Sequence, residues 1–185
     1  MLLRAEWVRP KDVGLLLALL MPANRLVCRV SLACGLRVGD VVALHTADIA
    51  NPRAWITESK TGKRRRLALG GELRREILAQ AGPVWAFEGA RDSARHRTRQ
   101  AVWADLKRAA RALRLEANVA PHSMRKCYAV DLMDRTGDLQ QVQAALLHDD
   151  QATTLLYALA DHFGPSGGSQ KQQNREQKRR EREKE

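Results

Sequence analysis

Apolar residues recur at intervals of three and four along most of the chain, which is the spacing of one face of an α-helix. Between these runs stand Pro and Gly residues that begin or end helices, such as Pro10 and Gly35. The pattern predicts helices over residues 11–21, 23–35, 37–45, 71–80, 98–115, 122–135, 138–147 and 151–160.

The segment AWITESKTGKRRRLAL (54–69) interrupts this pattern. Two β-prone runs flank Lys60-Thr61-Gly62-Lys63, which predicts a β-hairpin with Gly62 in its turn. Residues 81–97 follow neither period and are predicted to be irregular. The fold class predicted from these elements is α+β, mostly helical, with one small antiparallel hairpin or sheet.

The end of the chain differs in composition from the rest. The segment GPSGGSQ (164–170) is predicted to be a flexible linker. The charged tail that follows has almost no apolar residue, which is typical of a solvated helix or of disorder. We therefore predict one folded domain over residues 1–163 and a linker with a charged tail over 164–185.

The charge of the chain indicates an anionic partner. Lys and Arg number 32 against 21 acidic residues, which gives a net charge of +11, and 44% of the 185 residues are hydrophobic. The excess does not come from the tail alone, because residues 1–170 are also strongly basic. A basic folded domain of this size points most often to nucleic acid and sometimes to a membrane surface.

The three cysteines, Cys28, Cys34 and Cys127, stand in apolar helical patterns and are predicted to be buried thiols. Their odd number and the absence of a close pair argue against a disulfide framework and a zinc site. No apolar run reaches the roughly 18–20 residues that a membrane span needs. A cytoplasmic location and no membrane association are expected.

Four cationic residues stand at predicted turns or at the starts of helices. Arg37 opens the third helix, with Asp40 three residues later, and Lys60 lies in the hairpin turn. His122 and Arg125 adjoin on the first turn of helix 122–135, since residues three apart share a face. Each residue by itself is most often a solvated surface group. The helix dipole disfavours a cation at these positions, so Arg37 requires either Asp40 or a bound anion as its partner.

Together with His148 and Tyr157, these side chains suit phosphoryl transfer. Two arginines can hold a phosphate through planar forks, and histidines can donate to it or move protons. A lysine can protonate a leaving alkoxide, and a tyrosine can attack phosphorus to form a covalent intermediate. No acidic metal-binding motif stands beside them, so neither a metal nor another cofactor is predicted. Side chains would then meet the charge of the transition state.

The order and spacing of these residues resemble the tyrosine recombinases of the phage-integrase family. ACGLRVGDVVALHTADI (33–49) is similar to the first box of that family. The resemblance implies that Arg37 is a catalytic arginine and that Asp40 is the acidic residue that supports it. SKTGK (59–63) looks like the hairpin that carries the catalytic lysine, which implies that role for Lys60.

The later boxes resemble the same family. PHSMR (121–125) is similar to its His-x-x-Arg box, which implies catalytic roles for His122 and Arg125. LLHDD (146–150) takes the place of its Leu-Gly-His-Ser box, which gives His148, and Tyr157 follows at the usual distance of the nucleophile. The resemblance covers about residues 10–160.

The resemblance also implies an activity and partners. Family members break and rejoin DNA through a 3′-phosphotyrosyl intermediate, as tetramers on paired sites, and we expect this chain to be a monomer without DNA. Double-stranded DNA is the expected partner. Exposed cations are expected to hold it, namely Lys63, Arg64, Arg65, Arg95, Arg97, Arg99, Lys107 and Arg111.

Two departures from the family pattern leave alternatives open. Leu147 replaces a glycine, and Asp149 and Asp150 replace small polar residues, which favours a binding relative that regulates without cleaving. A type IB topoisomerase, which uses similar chemistry on single duplexes, is the third reading. Only nine residues precede Pro10, at the start of the first predicted helix, so the usual N-terminal domain is expected to be absent. The chain is then either a short natural recombinase or a catalytic-domain fragment.

Overall fold

The computed structural model describes residues 5–146, which contain eight α-helices and one antiparallel pair of strands. The helices are α1 (Pro10–Leu19), α2 (Pro22–Cys34), α3 (Val38–Val42), α4 (Thr46–Ala50), α5 (Gly71–Gln80), α6 (Arg99–Ala112), α7 (Pro121–Thr136) and α8 (Leu139–Ala145). The strands are β1 (Trp55–Thr57) and β2 (Arg64–Arg66). The predicted α+β class is therefore confirmed, whereas the predicted helix at 151–160, the linker and the tail lie outside the described residues.

Helix α2 is the centre of the packing. It contacts α1, α3, α5, α6 and α7, and its Val27 and Val30 are completely buried. The helix ends at Gly35, whose left-handed backbone (φ 66°) donates from its N–H to Ser31. The ring of Tyr128 lies where a Cβ of residue 35 would be, so both the backbone and the packing require glycine there. All three cysteines are buried and free, as predicted.

The third predicted helix is shorter than expected. The sequence predicts it over 37–45, but α3 ends at Val42 and a separate short helix, α4, follows. Leu44 and His45 instead pair with the irregular segment, where the N–H of Ala86 donates to Leu44 and an antiparallel bridge joins His45 to Trp85. These tertiary contacts end the helix, and local periodicity does not encode them.

The predicted hairpin is present, with Ile56 opposite Arg65 in register. The N–H of Glu58 donates to Lys63 and the N–H of Gly62 donates to Glu58, which closes the turn around Lys60. Gly62 has φ 65°, a conformation that favours glycine. Because side chains alternate between the two faces of a strand, Ile56 and Glu58 are both buried while Trp55 and Thr57 are exposed. The buried face of the hairpin therefore carries a carboxylate.

The end of α6 carries a strained residue. The N–H of Leu115 donates to Ala110 and the N–H of Arg114 donates to Arg111, which is the hydrogen-bond pattern of a Schellman cap. The residue at the left-handed position of this cap is Arg114, with φ 50°, where glycine is usual. Positions 113–115, which the sequence places in the helix, therefore form its cap.

We predict that Arg114→Gly stabilises the protein by about 0.5–1 kcal/mol. A left-handed conformation costs a residue with a Cβ about 1–2 kcal/mol, and the change to glycine removes this strain. The greater conformational freedom of glycine in the unfolded chain offsets about 0.5–1 kcal/mol of the gain. Urea unfolding measures the change. Arg114→Ala is the matched control, because it removes the same side chain and keeps the strain. Equal stabilities of the two variants would contradict this explanation.

Candidate active site

Arg125 lies at the meeting point of two helix ends. Its side chain is buried, and it leaves α7 toward the carboxyl ends of α2 and α8. Its Nη1 donates to the carbonyl oxygen of Gly35 at 2.6 Å and its Nη2 to that of Leu146 at 2.8 Å. The negative ends of two helix dipoles therefore stabilise this cation. Within residues 5–146, these bonds use two of the five N–H donors of the guanidinium.

Arg65 binds the same two helix ends from the hairpin. Its Nη2 donates to the carbonyl oxygen of Cys34 at 2.7 Å and its Nη1 to that of Ala145 at 2.9 Å. The sequence predicts Arg65 as an exposed contact to DNA. The structure corrects this expectation, because only 16% of the side chain is exposed and its bonds hold α2, α8 and the hairpin together.

A buried carboxylate joins Arg65 to Arg37. Glu58 is completely buried, and its Oε2 accepts from Nη1 of Arg37 at 2.5 Å. Its Oε1 lies 3.3 Å from Nη1 of Arg65. Arg37, just before α3, is itself buried. The sequence predicted Asp40 or a bound anion as the partner of Arg37, and the structure places the carboxylate of Glu58 beside it.

Asp40 holds the turn that carries Lys60. Its Oδ1 accepts from the backbone N–H of Ser59 at 2.9 Å and from the Ser59 hydroxyl at 2.7 Å. Asp40 lies on α3, one turn after Arg37, and is buried. The exposed Lys60 therefore follows two consecutive residues, Glu58 and Ser59, that are bonded to the start of α3.

His122 faces the same group of cations. It is the second residue of α7, and its pKa is lowered first by partial desolvation and then by the positive charges of four neighbours. These neighbours are Arg125, Arg37, Lys126 and Lys60. Three elements of the chain thus place Arg37, Lys60 and Arg125 within electrostatic range of His122. The lowered pKa favours the neutral form of His122.

The electrostatics favour an anion. Burial and the charge of Arg37 lower the pKa of Arg125 to about 10, so the group stays protonated at neutral pH at a cost that the carboxylates of Glu58 and Asp40 reduce. An anion beside these arginines would reduce that cost further. Forked guanidinium donors suit the oxygens of a phosphate.

The remaining cations predicted to contact DNA differ in their exposure. Most are exposed, namely Lys63, Arg64, Arg95, Arg99 and Arg111. Lys107 is half-buried and donates to Asn118.

Arg97 is the exception, because only 7% of it is exposed and its Nε donates to Asn24. The structure corrects this expectation too. Arg97 belongs to the interior, where it joins the irregular segment to α2 and is not available to a duplex.

Two predicted catalytic residues, His148 and Tyr157, lie outside the described residues, as do Leu147, Asp149 and Asp150. The structure adds Glu58, which the sequence reasoning missed. A signal for it was present, since strand alternation from Ile56 places Glu58 on the inner face. An acidic residue on an inner face calls for a cationic partner.

Comparison with known proteins agrees with this fold. The sequence profile of the phage integrase family matches residues 6–162. The chain therefore belongs to the phage integrase family, and its fold is that of a tyrosine-recombinase catalytic domain.

A curated relative is the tyrosine recombinase XerD of Ralstonia nicotianae, which is 32% identical over 147 residues. The match covers 72% of this chain and 47% of that protein, so the chain spans about half the length of this relative.

Solved structures share the fold at lower identity. The catalytic domain of bacteriophage HP1 integrase matches with a TM-score of 0.62 at 19% identity, covering 88% of this chain and 90% of that one. A lambda integrase dimer bound to a COC′ core site matches with a TM-score of 0.69 at 19% identity, covering 84% of this chain and 49% of that one.

We predict that Lys60→Gln raises the pKa of His122 toward its ordinary value of 6.5, because one of the charges that lower it is removed. NMR titration of the imidazole protons measures this change. Lys63→Gln is the control. Lys63 lies in the same turn but is not among the four residues whose charges lower the pKa of His122. An equal shift in both variants would contradict the proximity of Lys60 to His122.

The same lowered pKa has a consequence for stability. Between the folded pKa and 6.5 the unfolded chain binds more protons at His122 than the folded chain does. Stability is therefore lost as the pH falls through this window and is restored above it.

Proposed function

We propose that this chain is the catalytic part of a site-specific DNA recombinase that breaks and rejoins DNA through a 3′-phosphotyrosyl intermediate. The observation that carries the proposal is the convergence of Arg37, Arg125, His122 and Lys60 around one cationic site. Membership in the phage integrase family supports the same reaction.

In the proposed reaction, Arg37 and Arg125 bind the non-bridging oxygens of the scissile phosphate. The phenolic oxygen of Tyr157 attacks phosphorus, a bond forms between them, and the bond from phosphorus to the 5′ oxygen breaks. Lys60 donates a proton to the departing 5′ oxygen, which leaves as a hydroxyl. We assign the phenolic proton to His122, whose lowered pKa favours the neutral imidazole that can accept it.

Two further assignments complete the proposed site. His148 donates to a phosphate oxygen, and Asp40 positions the turn of Lys60 through Ser59. One phosphodiester is exchanged for a phosphotyrosyl ester and then re-formed, so the free energy of the bond is kept without a nucleotide or a metal ion. This is why a cofactor is not part of the proposal.

The proposed partner is double-stranded DNA, held through exposed cations. Arg64 lies over the ring of the exposed Trp55, and Lys107 lies over that of Trp103. Lambda integrase bound to a core site and XerH bound to difH are complexes of structural neighbours with DNA. We further propose that the chain assembles into a tetramer on paired sites and is a monomer without DNA.

The decisive test is covalent trapping on a nicked suicide duplex that carries the chain's own recombination site. We predict that the wild type forms a protein–DNA adduct and that Tyr157→Phe does not, while DNA affinity stays within about threefold, since only a hydroxyl is removed. Denaturing electrophoresis measures the adduct. Tyr128→Phe is the matched control, because it removes the other tyrosine hydroxyl of the chain.

The outcomes separate the competing readings. An adduct that persists in Tyr157→Phe would show that another residue is the nucleophile. Binding without an adduct in the wild type would favour a relative that binds DNA and regulates without cleaving it. Asp149 and Asp150 are the residues that suggest this alternative. Relaxation of a plasmid without exchange between two sites would favour a topoisomerase.

Lys60→Ala is predicted to slow cleavage by about 10²–10⁴-fold, the usual contribution of a general acid. A substrate with a 5′ bridging sulfur should restore the rate, because a thiolate leaves without a proton. Single-turnover cleavage of the two substrates measures the effect, with Lys63→Ala as the control in the same turn. If Lys60→Ala cleaves the 5′-sulfur substrate as slowly as the ordinary substrate, Lys60 has another role.

A further inference from the structure

We propose that Glu58 is a positioning residue that holds Arg37 and the Lys60 turn in one fixed arrangement for the reaction. Its role in catalysis rests on the proposed function, whereas its role in fixing Arg37 is a property of the free protein. Three observations carry the proposal: the bonds of the carboxylate, its burial, and its place in the hairpin.

The carboxylate of Glu58 bridges two guanidinium groups. One oxygen accepts from Arg37 at 2.5 Å, and the other lies 3.3 Å from Arg65. Arg65 is in turn bonded to the carboxyl ends of α2 and α8. Glu58 therefore connects Arg37 to a point fixed by two helices, and a charge-assisted bond between buried groups defines the orientation of both.

Burial decides on which side of Arg37 the carboxylate lies. The side chain of Glu58 has no exposed surface, whereas 10% of the Arg37 side chain is exposed. A phosphate that arrives from solvent therefore meets Arg37 and not Glu58. The carboxylate holds Arg37 from the interior and does not compete with the phosphate, so we infer positioning and not inhibition.

The backbone of Glu58 links this contact to Lys60. Its N–H and its carbonyl oxygen both close the turn, through Lys63 and Gly62. The next residue, Ser59, is bonded to Asp40 on α3. A displacement of the Glu58 side chain would therefore move Arg37 and Lys60 together, although only one of them touches the carboxylate.

The first test follows Arg37 in the free protein. We expect the Arg37 side-chain Nε–H, whose nitrogen is buried, to give a resolved NMR signal with a high heteronuclear NOE in the wild type. In Glu58→Gln and Glu58→Asp the NOE should fall, because the charge is lost in one variant and the carboxylate is withdrawn by one methylene in the other. Glu76→Gln is the matched control, since Glu76 pairs with Arg29 between α2 and α5.

The second test measures the reaction. We expect Glu58→Gln and Glu58→Asp to slow single-turnover cleavage by about 10–100-fold, the effect of a misplacement of roughly 1 Å. DNA affinity should stay within about threefold, because exposed cations supply most of it. Glu76→Gln should cleave at the wild-type rate. A residue that served stability alone would leave the cleavage rate of the folded variants unchanged.

The outcomes are separable. If Glu58→Gln does not fold because the arginines lose their counterion, Glu58→Asp keeps the charge and decides the question alone. A folded Glu58→Asp with a wild-type Arg37 signal and a wild-type cleavage rate would overturn the proposal. If the wild type itself cleaves nothing, the proposed function fails, and the Arg37 signal still decides whether Glu58 fixes that side chain.

Discussion

The site depends on the burial of three guanidinium groups between the ends of helices. Arg37, Arg65 and Arg125 are removed from most of their water, which is costly for a charge unless partners replace it. The partners are four carbonyl oxygens at the carboxyl ends of α2 and α8, together with the carboxylate of Glu58. These bonds hold the helices and the hairpin in one relation to each other.

The same constraint explains why the site favours an anion. Burial and then the like charges of their neighbours lower the pKa values of both His122 and Arg125, so the positive charge in the site is costly. A phosphate would add the missing negative charge. The arrangement is fixed before the ligand arrives, so little reorganisation is needed when it binds.

The residues of the site show how far sequence reasoning reaches. The order of Arg37, Lys60, His122 and Arg125 and the elements that carry them followed from periodicity and family resemblance, and the structure brings the four residues together. Glu58 was not predicted, because no feature of the local sequence pairs it with Arg37, which lies 21 residues earlier. Arg65 and Arg97 were predicted to be surface groups, but both are largely buried. A run of basic residues does not show which of its side chains point toward the interior.

Four features can be read from the amino-acid sequence alone, because they depend on local conformational preference and charge. They are the helical class, the hairpin with Gly62 in its turn, the helix end at Gly35 and the basic character of the domain. Three others depend on the packing of the folded chain: the end of α3, the identity of the buried arginines and the carboxylate that binds Arg37. Those features arise from contacts between residues distant in sequence. The sequence pattern indicates that a residue is buried, but it does not identify the residue that its side chain contacts.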